Sequence, residues 1–372
     1  MKDELAERLL ATVMEWKPEQ IAQERPIIQA LAAFSYDEYE QFSTGSRFVE
    51  NLALWLRQFE TPDERNIAYS FFKSRLVYVS QKEMRHLVET AFPEYVSDLL
   101  IQKVATETKI PRWRAREIRN RDEFKTLLRQ SLFLALSDGS HIDYFRRCNN
   151  AMISQEQVIR SHEITSARAS KVAESLAIDL LKILNREPLD KEVKFREVFL
   201  IDDFSGSGLS YLRRRDDRRV LTGKIVNFYD DVCRDGADLG YLIDRHDVEV
   251  HLILYIATKE AVDSITKLGV ELFGELSFDV RAVYTLQENI RIDDQDEPGF
   301  LGLARKYYDK VIETPSYLKG KHDHPYLGFD ECALPLVLFH NTPNNSLPLI
   351  WFGEAAKYRG CFPRVSRFRE TQ

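Results

Sequence analysis

The sequence predicts an α/β protein in which an all-α N-terminal region precedes a parallel sheet covered by helices. Two observations carry this. Up to about residue 128 apolar residues recur at three- and four-residue spacing, and β-branched runs are almost absent. After about residue 130, short fully apolar runs alternate with helical stretches, the pattern of strands buried on both faces of a sheet. The expected division is a helical domain at 1–128 and a sheet-containing domain at 129–372.

In the first half the helical spacing is clearest in LAERLLATVMEW, VENLALWLRQF and EMRHLVETAFPEYVSDLLIQKVA. Pro62 is expected in the first turn of a helix capped by Thr61, where a missing N–H costs nothing. Pro93 falls inside the third stretch, which must therefore kink or split. In the second half SLFLAL reads as a strand, SARASKVAESLAIDLLKIL as a helix and EVFLID as the next strand. Next come a short helix, KIVNFYD, a Gly/Asp-rich segment and EVHLILYIA. A helix from Lys259 to Leu268 leads into FDVRAVYTL, and ALPLVLFHNTPNNSLPLIWF reads as two short strands joined by an Asn/Pro turn.

An apolar fraction of 44 % over 372 residues supports one large core or two ordinary ones. The formal charge of −7 argues against a protein that coats nucleic acid, though it leaves room for a local basic patch. The acidic N-terminus lacks the features of a signal peptide, and no apolar run approaches the roughly 20 residues of a membrane span. Cys148, Cys233, Cys332 and Cys361 form no CxxC pair, which suggests a reducing compartment with neither a disulfide framework nor a zinc site. The expectation is a soluble, cytoplasmic protein that engages no membrane.

The chemistry concentrates in VFLIDDFSGSGLS, Val198 to Ser210. Asp202 and Asp203 fall at the carboxyl end of a buried strand, the edge where open α/β sheets bind ligands. Ser205, Gly206, Ser207 and Gly208 follow, and Leu209 to Arg215 read as the start of a helix. Such a loop offers N–H groups and a positive dipole end to a phosphate. The two carboxylates would repel that phosphate, so sugar hydroxyls or a divalent cation are their natural partners. There is no GxxxxGK[ST] and no GxGxxG with a ribose-binding acid behind it. The competing account is an acid-ended strand followed by a plain turn.

LFLALSDGSHIDYFRR repeats this logic: a strand, then Ser137-Asp138-Gly139-Ser140-His141, then a helix whose Arg146 and Arg147 could reach phosphate oxygens. Alternatively, Ser137 or Asp138 caps the helix and the arginines face solvent. His141 is an acid–base candidate by its near-neutral pKa, although a lone histidine near a loop is more often structural. His322 and His324 lack further nearby ligands and read as a solvated loop. Lys109 to Lys125, with Trp113 embedded, reads as a nucleic-acid contact, a connector, or a surface helix paired through Glu117, Asp122 and Glu123. RRRDDRR, Arg213 to Arg219, is either a solvated helix end or the source of an arginine for the anion site. RVSRFR reads as a frayed tail.

The stretch from Val198 to Ser210 resembles the phosphoribosyl pyrophosphate motif of type I phosphoribosyltransferases, and the resemblance implies their Rossmann-like sheet. It implies that Asp202 and Asp203 contact the ribose 2′- and 3′-hydroxyls. Behind Ser205, the residues Gly206, Ser207, Gly208, Leu209 and Ser210 would cradle the 5′-phosphate. Related transferases bind pyrophosphate after an earlier strand, a role that falls on Ser137, Gly139, Ser140 and His141, with Arg146 and Arg147 behind them. Asp138 joins the acid pair as a catalytic candidate, and Mg²⁺ is expected with the phosphoribosyl substrate.

Together with YFRR and the late FHNTPNNSLPLIW, these loops resemble the phosphoribosyltransferase-like effectors of bacterial conflict systems, some encoded beside retron reverse transcriptases. That resemblance spans about residues 130 to 355 and implies a role in antiviral defence, with an activity toxic to the host when released. Two functions follow. One is an enzyme acting at C1 of a ribose 5-phosphate, by phosphoribosyl transfer or by cleaving a nucleotide's N-glycosidic bond. The other is an inactive nucleotide-sensing module that docks a partner protein or nucleic acid through its helical region. An oligomer is compatible with both, and a plain DNA-binding regulator rests on Lys109 to Lys125 alone.

Overall fold

A computed structural model describes residues 3–160, 164–215, 220–234, 236–274 and 276–365. Residues up to Met84 and from Gln287 onward form one compact unit, and Arg85–Leu286 form the other. The 128/129 boundary read from the sequence falls inside the second unit.

In the Arg85–Leu286 unit the apolar runs become five parallel strands: β1 (Ser131–Ala135), β2 (Val158–Arg160), β3 (Glu197–Ser205), β4 (Glu249–Thr258) and β5 (Phe278–Leu286). Their order across the sheet is β2-β1-β3-β4-β5. Leu134 of β1 stands beside Leu200 of β3, which stands beside Leu252 of β4. Since side chains alternate between faces, these leucines share one face with Leu132, Val198 and Leu254. That face packs on the apolar sides of helices Ser166–Leu184, Lys224–Cys233 and Lys259–Phe273. The opposite face carries an aromatic row in which Phe199 lies 5.2 Å from Phe133 and 4.9 Å from His251, with Phe92 and Phe145 against Phe133. The sheet is thus covered on both sides, as the apolar strands require. The strand order reverses between β1 and β3, so the crevice beyond their carboxyl ends is the topological switch point.

The other unit is built from the N-terminal helices and the C-terminal segment. Thr61 caps the helix Pro62–Ser74: its hydroxyl accepts from the Glu64 N–H at 3.2 Å, and the Glu64 carboxylate accepts from the Thr61 N–H at 3.3 Å. In the same unit Val77–Val79 forms a short strand parallel to Leu336–Leu338, and the Trp55 indole donates to the Leu349 carbonyl at 2.9 Å. The late segment expected as two strands is therefore one strand and one helical turn, Pro348–Trp351. Pro348 has no N–H for a ladder and sits in the first turn, where none is needed. In the other unit, Pro93 lies in a π-helical turn, Phe92–Val96, that runs straight on into the helix Ser97–Thr108.

A second correction concerns the helix expected from Leu209 to Arg215. Leu209 to Leu212 form a turn in which the Tyr211 and Leu212 N–H groups donate to the Gly208 carbonyl. Arg213–Arg214 then pair antiparallel with Leu221–Thr222, and the helix begins at Lys224. The arginine-rich run has no apolar stripe to bury, so it gains nothing by coiling there. Asp216 to Arg219 of that run, and RVSRFR beyond Val365, lie outside the described residues. Among the described residues no helix is long and apolar enough to cross a membrane.

Candidate functional site

On the β1 side, the pairing of β3 ends with Ile201 opposite Ala135, whereas on the β4 side it runs on to Ser205 opposite Ala257. Asp202 and Asp203 are therefore consecutive strand residues just past the end of β1, at the switch point, and they point to opposite faces. Asp202 is completely buried. Its Oδ1 accepts from the Ser137 hydroxyl and from the Asp203 N–H at 3.1 Å. Its Oδ2 lies 2.8 Å from the Tyr211 hydroxyl and 2.5 Å from the Lys224 ammonium. Burial pushes the Asp202 carboxyl above its usual pKa, and the Asp203 charge adds to this against the pull of Lys224. Asp203, 9 % exposed, accepts from the Phe204 N–H at 2.9 Å.

Behind the acids the chain folds back on itself. The Ser205 hydroxyl accepts from the Gly208 N–H at 3.2 Å, and the Tyr211 hydroxyl reaches the Phe204 carbonyl at 2.9 Å, pinning the two ends of the loop together. Thr258, the last residue of β4 and the cap of the helix Lys259–Phe273, donates to the Gly206 carbonyl at 2.7 Å. Gly208 has φ +80°, and a Cβ there would stand 3.0 Å from Ile265 Cγ1 and 3.1 Å from the Ala261 carbonyl. Among the described residues, the backbone N–H groups of Gly206, Ser207 and Ser210 donate to no protein acceptor. A turn of small residues with several unused N–H groups is an anion-binding concavity. The expected helix dipole plays no part, because no helix starts there.

The earlier loop meets this one. Asp138–Ser140 form a 3₁₀ turn, His141 has φ +47°, and the helix Ile142–Cys148 follows without a side-chain cap. Neither Ser137 nor Asp138 caps that helix, because Ser137 is turned toward Asp202. Gly139 and Ser140 are buried, and among the described residues the Ser140 hydroxyl has no partner. Asp138 is exposed, Arg146 half-buried and Arg147 exposed. Of the candidate residues, Ser137 and the acid pair are directly joined, whereas Asp138 makes no side-chain bond to them.

Sequence reasoning missed four residues here: Tyr211, Lys224, Thr258 and Tyr255. Tyr255 is a fully buried β4 residue whose hydroxyl has no partner among the described residues. It shares the Asp203 face, since its neighbour Ile253 stands opposite Ile201. Burial, with the charges of Cys148, Asp202 and Asp203, drives its pKa well above the ordinary value.

The remaining candidates lie elsewhere. His322 and His324 are exposed, and His322 Nδ1 lies 3.0 Å from the Gly320 carbonyl. The cysteines are free thiols. In the Lys109–Lys125 stretch, Arg112 pairs with Asp98, Arg114 with Glu117, Arg121 with Glu123 and Lys125 with Asp122, while Trp113 is 84 % exposed. Arg213 donates to the Leu209 carbonyl at 3.0 Å, and Arg214 pairs with Glu271. A cavity of about 580 Å³, lined by residues including Arg121, Glu123, Gln130 and Arg196, lies at the amino ends of the strands, away from the acid pair.

Gly223 sets the path from the loop to Lys224. Its φ is +136°, and a Cβ would fall 2.1 Å from the Tyr211 carbonyl. Gly223→Ala is expected to cost about 2–3 kcal/mol in urea unfolding. Gly45→Ala, at φ +83° with nothing within 4 Å of its Cβ, serves as the control for backbone strain without the clash. Equal losses in the two variants would show that the Tyr211 contact is unimportant.

A parallel sheet in this order, with two small-residue loops meeting at its switch point, defines a phosphoribosyltransferase-like protein. The chain belongs to the PRTase-CE family, whose model matches residues 52–364. No curated protein and no solved structure matches it significantly.

Proposed function

We propose that the chain binds a ribose 5-phosphate unit, as phosphoribosyl pyrophosphate or a nucleotide, and acts at its C1. The observation that carries this is the set of unused N–H groups at Gly206, Ser207 and Ser210, directly behind Asp203 and tied through Asp202 to the Ser137 loop. The 5′-phosphate lies in the first loop and the sugar hydroxyls meet the acid-pair end of β3 at Asp203. The leaving pyrophosphate or base faces the loop from Ser137 to His141, with Arg146 and Arg147 behind it. As the bond at C1 breaks, the sugar gains oxocarbenium-like positive charge, which a fixed carboxylate stabilises without reorganising. Mg²⁺ would neutralise a pyrophosphate leaving group, and exposed Asp138 is an oxygen donor of the kind that cation takes. The biological setting we propose, by the resemblance to conflict-system effectors, is antiviral defence in the cytoplasm.

One observation favours the rival reading, a nucleotide-sensing module without turnover that docks a partner protein or nucleic acid. Asp202, the more buried of the two acids, is locked by Ser137, Tyr211 and Lys224, which leaves it unable to act as a general base. Incubation with Mg²⁺ and phosphoribosyl pyrophosphate or nucleotides separates the two. Turnover in the wild type that falls at least about a hundredfold in Asp203→Asn is expected for the enzyme. Binding without turnover across the nucleotide pool would leave only the sensor. Absence of binding to any ribose phosphate would overturn both.

A further inference from the structure

We infer that Lys224 is the cation that meets the ligand's 5′-phosphate, and that Asp202 holds it in place instead of making a second contact to the sugar. This rests on the ribose-phosphate reading of the cradle and refines it.

An ionised carboxylate has about four acceptor positions. At Asp202 two on Oδ1 are taken by Ser137 and the Asp203 N–H, and Oδ2 faces Lys224 and the Tyr211 hydroxyl, whose single proton is shared with the Phe204 carbonyl. The residue is also completely buried, so a sugar hydroxyl has neither a path to it nor a place on it. The acid pair is split: Asp203 is the carboxylate for the sugar, and Asp202 is internal.

A phosphate monoester carries about −1.5 to −2 at pH 7, and neutral N–H groups alone leave that charge uncompensated. Two nearby arginines are committed elsewhere, Arg213 to the Leu209 carbonyl and Arg214 to Glu271. Lys224 is placed differently. Its backbone N–H donates to the carbonyl of Ser210, the last cradle residue, at 3.1 Å. Its side chain then runs back over the Tyr211 ring, 5.0 Å from its centroid, to Asp202 at the other end of the loop. The lysine thus ties the Ser210 end of the loop to Asp202. An ammonium has three N–H donors, and among the described residues only Asp202 accepts from this one, while the side chain stays one-third exposed. A compact cation with donors to spare, steered by a buried carboxylate, is a phosphate ligand in waiting. Removing both charges of the pair would leave no buried charge unpaired and would keep one side-chain acceptor oxygen at position 202 for the Ser137 and Tyr211 hydroxyls, so the two roles of Lys224 can be separated.

Calorimetric titration of the full chain with ribose 5-phosphate, and in parallel with inorganic phosphate, tests this. The variants are Lys224→Met, Lys224→Arg and the double variant Asp202→Asn with Lys224→Met. Thermal melting followed by circular dichroism reports folding. Lys224→Met is expected to weaken both probes about tenfold or more, and Lys224→Arg to retain most of the affinity. The double variant, with no buried charge left unpaired, is expected to regain stability but not affinity. Recovery of wild-type binding by the double variant would overturn the inference, because Lys224 would then serve only to neutralise Asp202. Unchanged binding by Lys224→Met would overturn it equally. A wild type that binds neither probe would overturn the cradle reading itself, a different outcome from either.

Discussion

An Asp202→Ala protein unfolds at a much lower urea concentration than the wild type, with an expected loss of about 3–5 kcal/mol. The size follows from what the carboxylate holds. Its removal leaves the Ser137 hydroxyl without that acceptor and the one-third-exposed Lys224 ammonium without its carboxylate, and an abandoned buried donor costs about 1–3 kcal/mol. Tyr211 keeps the Phe204 carbonyl, so its share of the loss is small. Asp202→Asn keeps the shape and one acceptor oxygen but turns an amide toward the ammonium, so an intermediate loss is expected. The same change loosens both loops at once, because Asp202 is where the segments around Ser137, Phe204, Tyr211 and Lys224 converge. Faster amide exchange from Ser205 to Tyr211 and around Ser137 is the local signature. A loss below about 1 kcal/mol with unaltered exchange would mean that these bonds are not what ties the loops together.

The parallel sheet was legible in the sequence because its central strands are buried on both faces, and such strands read as unbroken apolar runs. The acid pair was legible for a related reason: two carboxylates ending an apolar strand cannot be core residues without a purpose. What could not be read is how far β3 continues. DDFS carries no strand signature of its own, and it stays extended only because β4 runs alongside it to Thr258. That extension decides the chemistry, since it sends Asp202 and Asp203 to opposite faces. The helix expected at Leu209 failed because the arginines look favourable by propensity while offering no face to bury. The partners of Asp202 were beyond local reasoning altogether. Ser137 lies 65 positions before it, brought close by the crossover that sets β1 beside β3, and Lys224 lies 22 positions after it, returned by the turn at Gly223.

Raising the pH is expected to weaken the Arg85–Leu286 unit through His251, at the amino end of β4. The imidazole is 3 % exposed, with Nε2 2.9 Å from the Glu197 carboxylate and Nδ1 bonded to Asp279. Lys103 bridges Glu197 and Glu249 nearby, and Arg281 pairs with Asp279 at 2.8 Å. Glu197, Glu249 and His251 lie close enough to hold a metal ion, but the Lys103 ammonium already bonds both carboxylates. Burial disfavours the imidazolium; the hydrogen bonds and charges of Asp279 and Glu197 outweigh it and raise the His251 pKa above its usual value. A pKa raised by folding contributes stability that is fully present below the unfolded value of about 6.5. That stability is lost as the pH rises from there through the folded value, when the neutral ring can donate to only one of its two carboxylates. The depressed pKa values of Asp279 and Glu249 act at the opposite end, where their stabilisation fades as the pH falls into the carboxylate range. Urea unfolding from about pH 5.5 to 9, comparing wild type with His251→Gln, isolates the histidine because glutamine keeps a donor without titrating. The stability advantage of the wild type should be largest at the acidic end and shrink steadily with pH. A constant difference across the range would mean that folding leaves the His251 pKa at its unfolded value, so that Glu197 and Asp279 do not favour the imidazolium.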